Sequence, residues 1–176
     1  CTGEAQYIDD IKTTNNTLHA ALILSPYSSG KLIKIETKKA LSLSGVVNIY
    51  TADDIPGKNQ VGPIIHDEPA LAERRVEYIG QPIAVIIATS HKIAQYASNL
   101  VKIEINSDEI SIFDLKQSLK LKSFVLPKMN LSRGNATKYI KSSKNKLTGE
   151  LKIGGQDHFY LEGHIALAIP EEDKQM

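Results

Sequence analysis

The chain has 176 residues, of which 41% are hydrophobic and 23% charged, and its net charge is +1. That suits one full domain, or one with a piece of a second; balanced charge excludes an electrostatic nucleic-acid or membrane binder, and no apolar run nears the ~20 residues that span a bilayer. A single cysteine, Cys1, excludes a disulfide framework within one copy and a protein-ligated iron–sulfur cluster, which takes about four thiolates.

Residues 1–16 are polar and predict an irregular arm. Thr17 to Leu24 is a mostly apolar run that fits a buried strand. Pro26-Tyr27-Ser28-Ser29-Gly30 is turn chemistry. Leu32, Ile33 and Ile35 predict a second strand ending near Thr37, paired with the first as a hairpin. Lys38 to Leu43 suits a short helix stopped by Ser44-Gly45, and Val46 to Tyr50 a third strand. Asp53-Asp54-Ile55-Pro56-Gly57 breaks the pattern, and a long loop runs to about Arg75. Loops of that length in a compact domain are often functional or part of an interface. Val76 to Ile79 reads as a short strand. Ile83 to Ala88 is a continuous apolar strand, expected at the centre of a sheet. Ser90 can cap a helix from His91 to about Leu100. Val101, Ile103 and Ile105 then alternate with polar residues, as in a half-buried strand.

From residue 107 the texture loosens. Asp114 and Asn135 are candidate caps of two short helices, through Leu119 and about Ile140. Leu147, Gly149, Leu151 and Ile153 alternate, and so do Phe159, Leu161, Ile165, Leu167 and Ile169. Both stretches predict strands. The second has no segment after it to pair with, so the chain is expected to stop inside a second domain.

Between these strands lies Gly154-Gly155-Gln156-Asp157-His158-Phe159-Tyr160-Leu161-Glu162-Gly163-His164, the densest concentration of chemically capable groups in the chain. His158, Glu162 and His164 would share one strand face. Their spacing is not the helical His-Glu-x-x-His zinc pattern, which favours local hydrogen bonds over a protein-ligated metal. Two glycines after a strand let the backbone approach another group closely, and Gln156 offers an amide at a defined point. The plainer alternative is a tight turn with an exposed amide. Asp9-Asp10 and Asp53-Asp54 read as solvated turn carboxylates. Phosphate-binding glycine loops and a nucleophile elbow are both lacking, so no catalytic residue is assigned.

The stretch Gly154 to Glu162 resembles the molybdenum-cofactor glutamine motif of the xanthine dehydrogenase and aldehyde oxidase family. Thr2-Gly3-Glu4-Ala5-x-Tyr7-x-Asp9-Asp10-Ile11 resembles the opening of that family's molybdenum-binding part. Leu18-His19-Ala20-Ala21, Ser44-Gly45-Val46-Val47, Thr51-Ala52-Asp53-Asp54-Ile55-Pro56-Gly57-x-Asn59, Gly62 to Pro69, and Tyr78-x-Gly80-Gln81-Pro82-Ile83-Ala84 follow in family order. Asn135 stands where the family usually has Asp.

The resemblance implies an α+β fold: an α/β-hammerhead domain, a mixed sheet with flanking helices, followed by the first strands of a molybdopterin-binding domain. The implied boundaries are an arm at 1–16, the hammerhead at 17–106, a connecting segment at 107–144 and a truncated start of the cofactor-binding domain at 145–176. It implies hydroxylation of hypoxanthine and xanthine with water-derived oxygen, by a full-length cytoplasmic enzyme. Electrons would leave through [2Fe–2S] clusters to FAD, both on other domains or subunits. Gln156 would hydrogen-bond an oxo ligand of the molybdenum, with Gly155 beside it in the cofactor-binding set. No protein ligand to a metal is implied in this stretch. The family's catalytic glutamate lies beyond Met176, so the isolated chain is expected to be inactive. The Pro56 to Glu68 stretch leans toward xanthine dehydrogenases. Alternatives are an aldehyde oxidoreductase and a hammerhead module that only packs against partners.

Overall fold

In the computed structural model, which describes residues 2–107 and 110–172, the elements are β1 (His19–Leu24), β2 (Gly30–Glu36), α1 (Lys38–Leu41), β3 (Val46–Thr51), β4 (Arg75–Val76), β5 (Pro82–Ala88), α2 (His91–Ser98), β6 (Lys102–Ser107), α3 (Leu115–Leu121) and α4 (Ala136–Ser142). Two compact units form, one from Thr13–Gln117 and the other from Cys1–Lys12 with Ser118–Met176. Among the described residues no helix is long and apolar enough to cross a membrane.

The first unit holds two antiparallel three-stranded sheets, in the orders β1-β5-β3 and β4-β2-β6. The apolar run of β5 explains its central place: Ile83, Ala84, Ile86 and Ala88 are all fully buried. A strand flanked on both sides and covered by a helix on one face can be apolar throughout, and Val85 and Ile87 on its other face are half-buried. Its register sets Ile86 opposite Ala21 of β1 and Ile49 of β3. Helix α2 lies over this side of the sheet, and Ala94 and Ala97 join Ile23, Ile49 and Ile86 in one core. Two alanines at that interface have no long side chain to hold helix and sheet apart. The Ser90 hydroxyl accepts from the Ile93 N–H at 3.3 Å and caps α2 as its sequence position predicts.

A second core joins Ala72, Val76 and Ile83 to Leu32, Ile35, Ile103 and Ile105. Ile103 packs against both cores and ties the sheets together. The alternation of β6 is as expected, with Ile103 and Ile105 turned inward and Lys102 and Glu104 exposed.

The predicted hairpin does not form. β1 pairs with β5, whereas β2 pairs with β4 and β6. The cause lies at Ser25, which is buried. Its N–H donates to the Gln81 carbonyl at 2.9 Å, and its own carbonyl accepts from the Gly80 N–H at 2.8 Å. These bonds pin the end of β1 to the turn before β5. The Pro26–Gly30 stretch therefore carries the chain into the other sheet instead of folding it back.

Both Asp-Asp-Ile turns form the same device, a short 3-10 turn closed by its second aspartate. Asp10 accepts from the Tyr7 N–H at 2.9 Å. Asp54 accepts from the Thr51 N–H at 2.7 Å and from its hydroxyl at 3.0 Å. The Thr51 backbone bond, then its hydroxyl, hold the Asp54 carboxyl below the usual aspartate range.

In the second unit α4 starts where Asn135 accepts from the Lys138 N–H at 3.0 Å. At the end of the first unit Asp114 accepts from the Gln117 N–H at 3.1 Å as α3 begins. The strands expected at 147–153 and 159–169 are absent, although the alternation is real. Phe159 has φ 51°, in the left-handed region, and breaks the extended run at its first residue. A strand also needs a neighbour for its backbone groups, and among the described residues none pairs with either stretch. Most of their apolar side chains stay exposed, with Leu151 at 82% and Leu161 at 91%, while Leu167 is half-buried.

Candidate functional site

Gly154, Gly155 and Gln156 lie in an exposed, irregular stretch. A Cβ at Gly154 or Gly155 would meet nothing within 4 Å, so the backbone face there is open. The Gln156 amide makes no hydrogen bond to another described residue, which leaves both its donor and its acceptor available.

The groups that follow are engaged with one another. His158 stacks on Tyr160 with ring centroids 5.7 Å apart and planes 4° from parallel. His164 stands on Tyr160 as well, at 6.2 Å and 34°. Glu162 accepts from the Ile8 backbone N–H at 3.2 Å, which fastens the N-terminal arm to this stretch. The three residues that suggested metal ligands thus do not converge: two flank a phenol ring and the third binds a backbone amide. Among the described residues no group of three or more His, Cys, Asp and Glu side chains is placed to hold a metal ion.

The long loop after β3 is built more tightly than its composition suggests. Asn59 forms a two-way clamp on Leu71, donating to its carbonyl at 2.7 Å and accepting from its N–H at 3.0 Å. Gln60 accepts from the Gly62 N–H at 2.7 Å and from the Glu68 N–H at 3.1 Å. The Val61 N–H donates to the Glu68 carbonyl at 2.8 Å. His66 Nδ1 lies 3.0 Å from the Gly62 carbonyl, so the tautomer protonated there donates to it. The loop closes on itself and holds Ile64 out at 88% exposure. The length of this stretch marked it as a candidate, but the bracing by its amides was not legible. The available signal was the adjacent pair Asn59-Gln60 shortly before Gly62, since amides can satisfy loop backbone groups in both directions.

Gly62 is the sterically strict point. A Cβ there would lie 2.1 Å from the Ile65 carbonyl oxygen. Gly62→Ala is expected to force the backbone apart and destabilise the fold by about 1–3 kcal/mol, the usual range for overpacking. Equilibrium urea unfolding measures the loss, and limited proteolysis should show new cleavage between residues 60 and 68. An unchanged midpoint and cleavage pattern would show that the loop is not closed as described.

Residues 2–109 match the family described as aldehyde oxidase and xanthine dehydrogenase, a/b hammerhead domain. Residues 120–176 match the molybdopterin cofactor-binding domain. The chain is similar to aldehyde oxidase 4 of Cavia porcellus, 36% identical over 177 residues, covering 99% of this chain and 13% of the relative. It is similar to xanthine dehydrogenase 1 of Arabidopsis thaliana, 38% identical over 170 residues, covering 94% of this chain and 12% of the relative. Among solved structures, quinoline 2-oxidoreductase from Pseudomonas putida 86 aligns with a TM-score of 0.57 and 26% identity, over 68% of this chain and 16% of that one. The aldehyde oxidoreductase from Desulfovibrio gigas aligns with a TM-score of 0.51 and 29% identity, over 54% of this chain and 12% of that one. The chain thus spans 12–13% of the length of the two sequence relatives. With the two-sheet α+β unit under the first match and the Gly-Gly-Gln motif under the second, the chain belongs to the aldehyde oxidase and xanthine dehydrogenase family.

Proposed function

We propose that these 176 residues are the leading part of the molybdenum-cofactor portion of a xanthine dehydrogenase, which hydroxylates hypoxanthine and xanthine with water-derived oxygen. The observation that carries the proposal is the order of the two family matches, hammerhead at 2–109 and cofactor-binding domain at 120–176. We divide the chain as an arm at 1–16, the hammerhead at 17–106, a connecting segment at 107–144 and the start of the cofactor-binding domain from 145.

The residues present fit a large polar cofactor. Gly154 and Gly155 leave the backbone open to close approach, and the exposed Gln156 has an uncommitted amide. Gly155 and Gln156 would hold the molybdenum–molybdopterin group from one side. Bound there, the cofactor would supply the two-electron oxidation of a substrate carbon. Gln156 would donate its amide N–H to an oxygen acceptor and orient it, and as a neutral group it adds no charge to the site. The iron–sulfur clusters and FAD would sit on other domains or subunits of the same cytoplasmic enzyme, and the 176 residues alone would not turn over.

The 38% identity to a xanthine dehydrogenase and the family stretch from Pro56 to Glu68 support a purine substrate. The 36% identity to an aldehyde oxidase across 99% of the chain favours a second reading, aldehyde oxidation. Substrate profiling of the full-length protein separates the two. The purine reading predicts a higher kcat/KM for hypoxanthine and xanthine than for aromatic or aliphatic aldehydes. Preference for aldehydes would replace it with the second reading. Turnover of neither class would leave a hammerhead module that serves assembly.

A further inference from the structure

Two stretches of the second unit, far apart in sequence, meet at one bond. From residue 2 to 12 every residue is exposed except Ile8, and from 141 to 166 every residue is exposed except Glu162. These two partly buried residues are partners: the Glu162 carboxylate accepts from the Ile8 N–H at 3.2 Å. Both belong to the same compact unit. The arm is shaped for this bond. A helical turn leaves its first backbone N–H groups without partners inside the turn. At the turn Ile8–Asp10, Asp10 takes the Tyr7 N–H at 2.9 Å, and Glu162 takes the next one.

Glu162 lies six residues after Gln156. Among the described residues no strand pairs with the backbone that carries Gln156. Yet an amide that orients a bound oxygen must be fixed to within about 0.5 Å. Around Glu162 the rings are already packed, with His158 and His164 lying on Tyr160. A run braced in this way needs a fixed point outside itself, and the bond to Ile8 supplies one. We propose that Glu162 is a positioning residue for Gln156, anchoring the Gly154–Gln156 stretch to the turn at Ile8–Asp10. The proposal rests on the reading that Gln156 faces the molybdenum–molybdopterin group. It also gives the arm a task, because its Tyr7-x-Asp9-Asp10-Ile11 turn presents the N–H that Glu162 holds.

Hydrogen exchange at the Ile8 amide, molybdenum content and steady-state kinetics are compared in full-length wild type, Glu162→Ala and Glu162→Gln. Glutamine keeps a carbonyl oxygen that accepts the same bond, and alanine keeps none. In the alanine variant Ile8 exchange should rise and kcat per bound molybdenum should fall about 10-fold, with KM unchanged. The glutamine variant should stay near wild type in both. A merely structural role would lower molybdenum content and leave kcat per molybdenum unchanged. Exchange in the wild type reads the tie without any substitution, and an unprotected Ile8 amide there would overturn the proposal. So would failure of the glutamine variant to restore activity, which would assign the effect to charge. Absence of molybdenum from a wild type that protects Ile8 defeats the cofactor reading, and positioning with it. Molybdenum present with unchanged kcat in Glu162→Ala defeats positioning alone.

Discussion

On the role proposed for its amide, replacing Gln156 by alanine in the full-length protein is expected to lower the proposed hydroxylation about 10- to 100-fold, the usual cost of removing a group that orients a metal's ligand. The fold should not change, because Gln156 is exposed and bonds no other described residue. The two consequences are measured separately, by steady-state kinetics and by thermal unfolding with metal analysis. Gln156→Glu sharpens the test. It keeps nearly the same shape, but an ionised carboxylate only accepts hydrogen bonds and adds a negative charge. It should lose activity as Gln156→Ala does. Full activity in either variant would sink the role given to the amide. Loss of activity together with a lower Tm would instead make Gln156 a structural residue.

The second large effect is expected at Ile86. It is fully buried at the centre of β5, between Ala21 and Ile49, beneath α2. Its neighbours include Ala84, Ala88, Ala94 and Ala97, which have no long side chains to swing into a void. Ile86→Ala should therefore cost about 2–5 kcal/mol, because lost burial and the remaining cavity both count. Against a typical domain stability of about 5–15 kcal/mol, that is a large fraction. Leu22→Ala on the open face of the same sheet should cost less than about 1 kcal/mol in the 176-residue chain. Equilibrium urea unfolding reads both. Equal effects at the two positions would contradict the one-sided core.

The contrast between Ile86 and Leu22 also shows what the sequence could disclose. The apolar run of β5, the Ser90 cap of α2 and the alternation of β6 are local signals, and all three are met in the structure. Strand partners are not local. The Pro26–Gly30 turn suited a hairpin, and only the bonds of Ser25 to Gly80 and Gln81, more than fifty residues away, send β2 to the other sheet. The same limit explains the stretch after 145. Its alternation states which face would be apolar, but extended pairing also requires a neighbour, and Phe159 turns the backbone away from it.

The candidate site was legible as chemistry more than as geometry. Gly154-Gly155-Gln156 was distinctive because an amide follows two residues without side chains, and the structure leaves that amide available. The histidines were expected to engage locally, and they do so through ring contacts and not the expected hydrogen bonds. His158 and His164 share a parity with Tyr160, and both rest on its ring. The bracing roles of Asn59 and Gln60 were not legible, because their partners Leu71 and Glu68 lie eight to twelve residues on in a loop without periodicity.

The most direct test of the central claim follows the oxygen atom. The full-length protein, purified with its cofactors, is incubated with hypoxanthine, and in parallel with an aldehyde, in water enriched in ¹⁸O. Mass spectrometry then reads the product. Membership of a molybdenum hydroxylase predicts that each newly introduced oxygen carries the label from water. A product that forms without the label, or whose new oxygen comes from dioxygen, would contradict it.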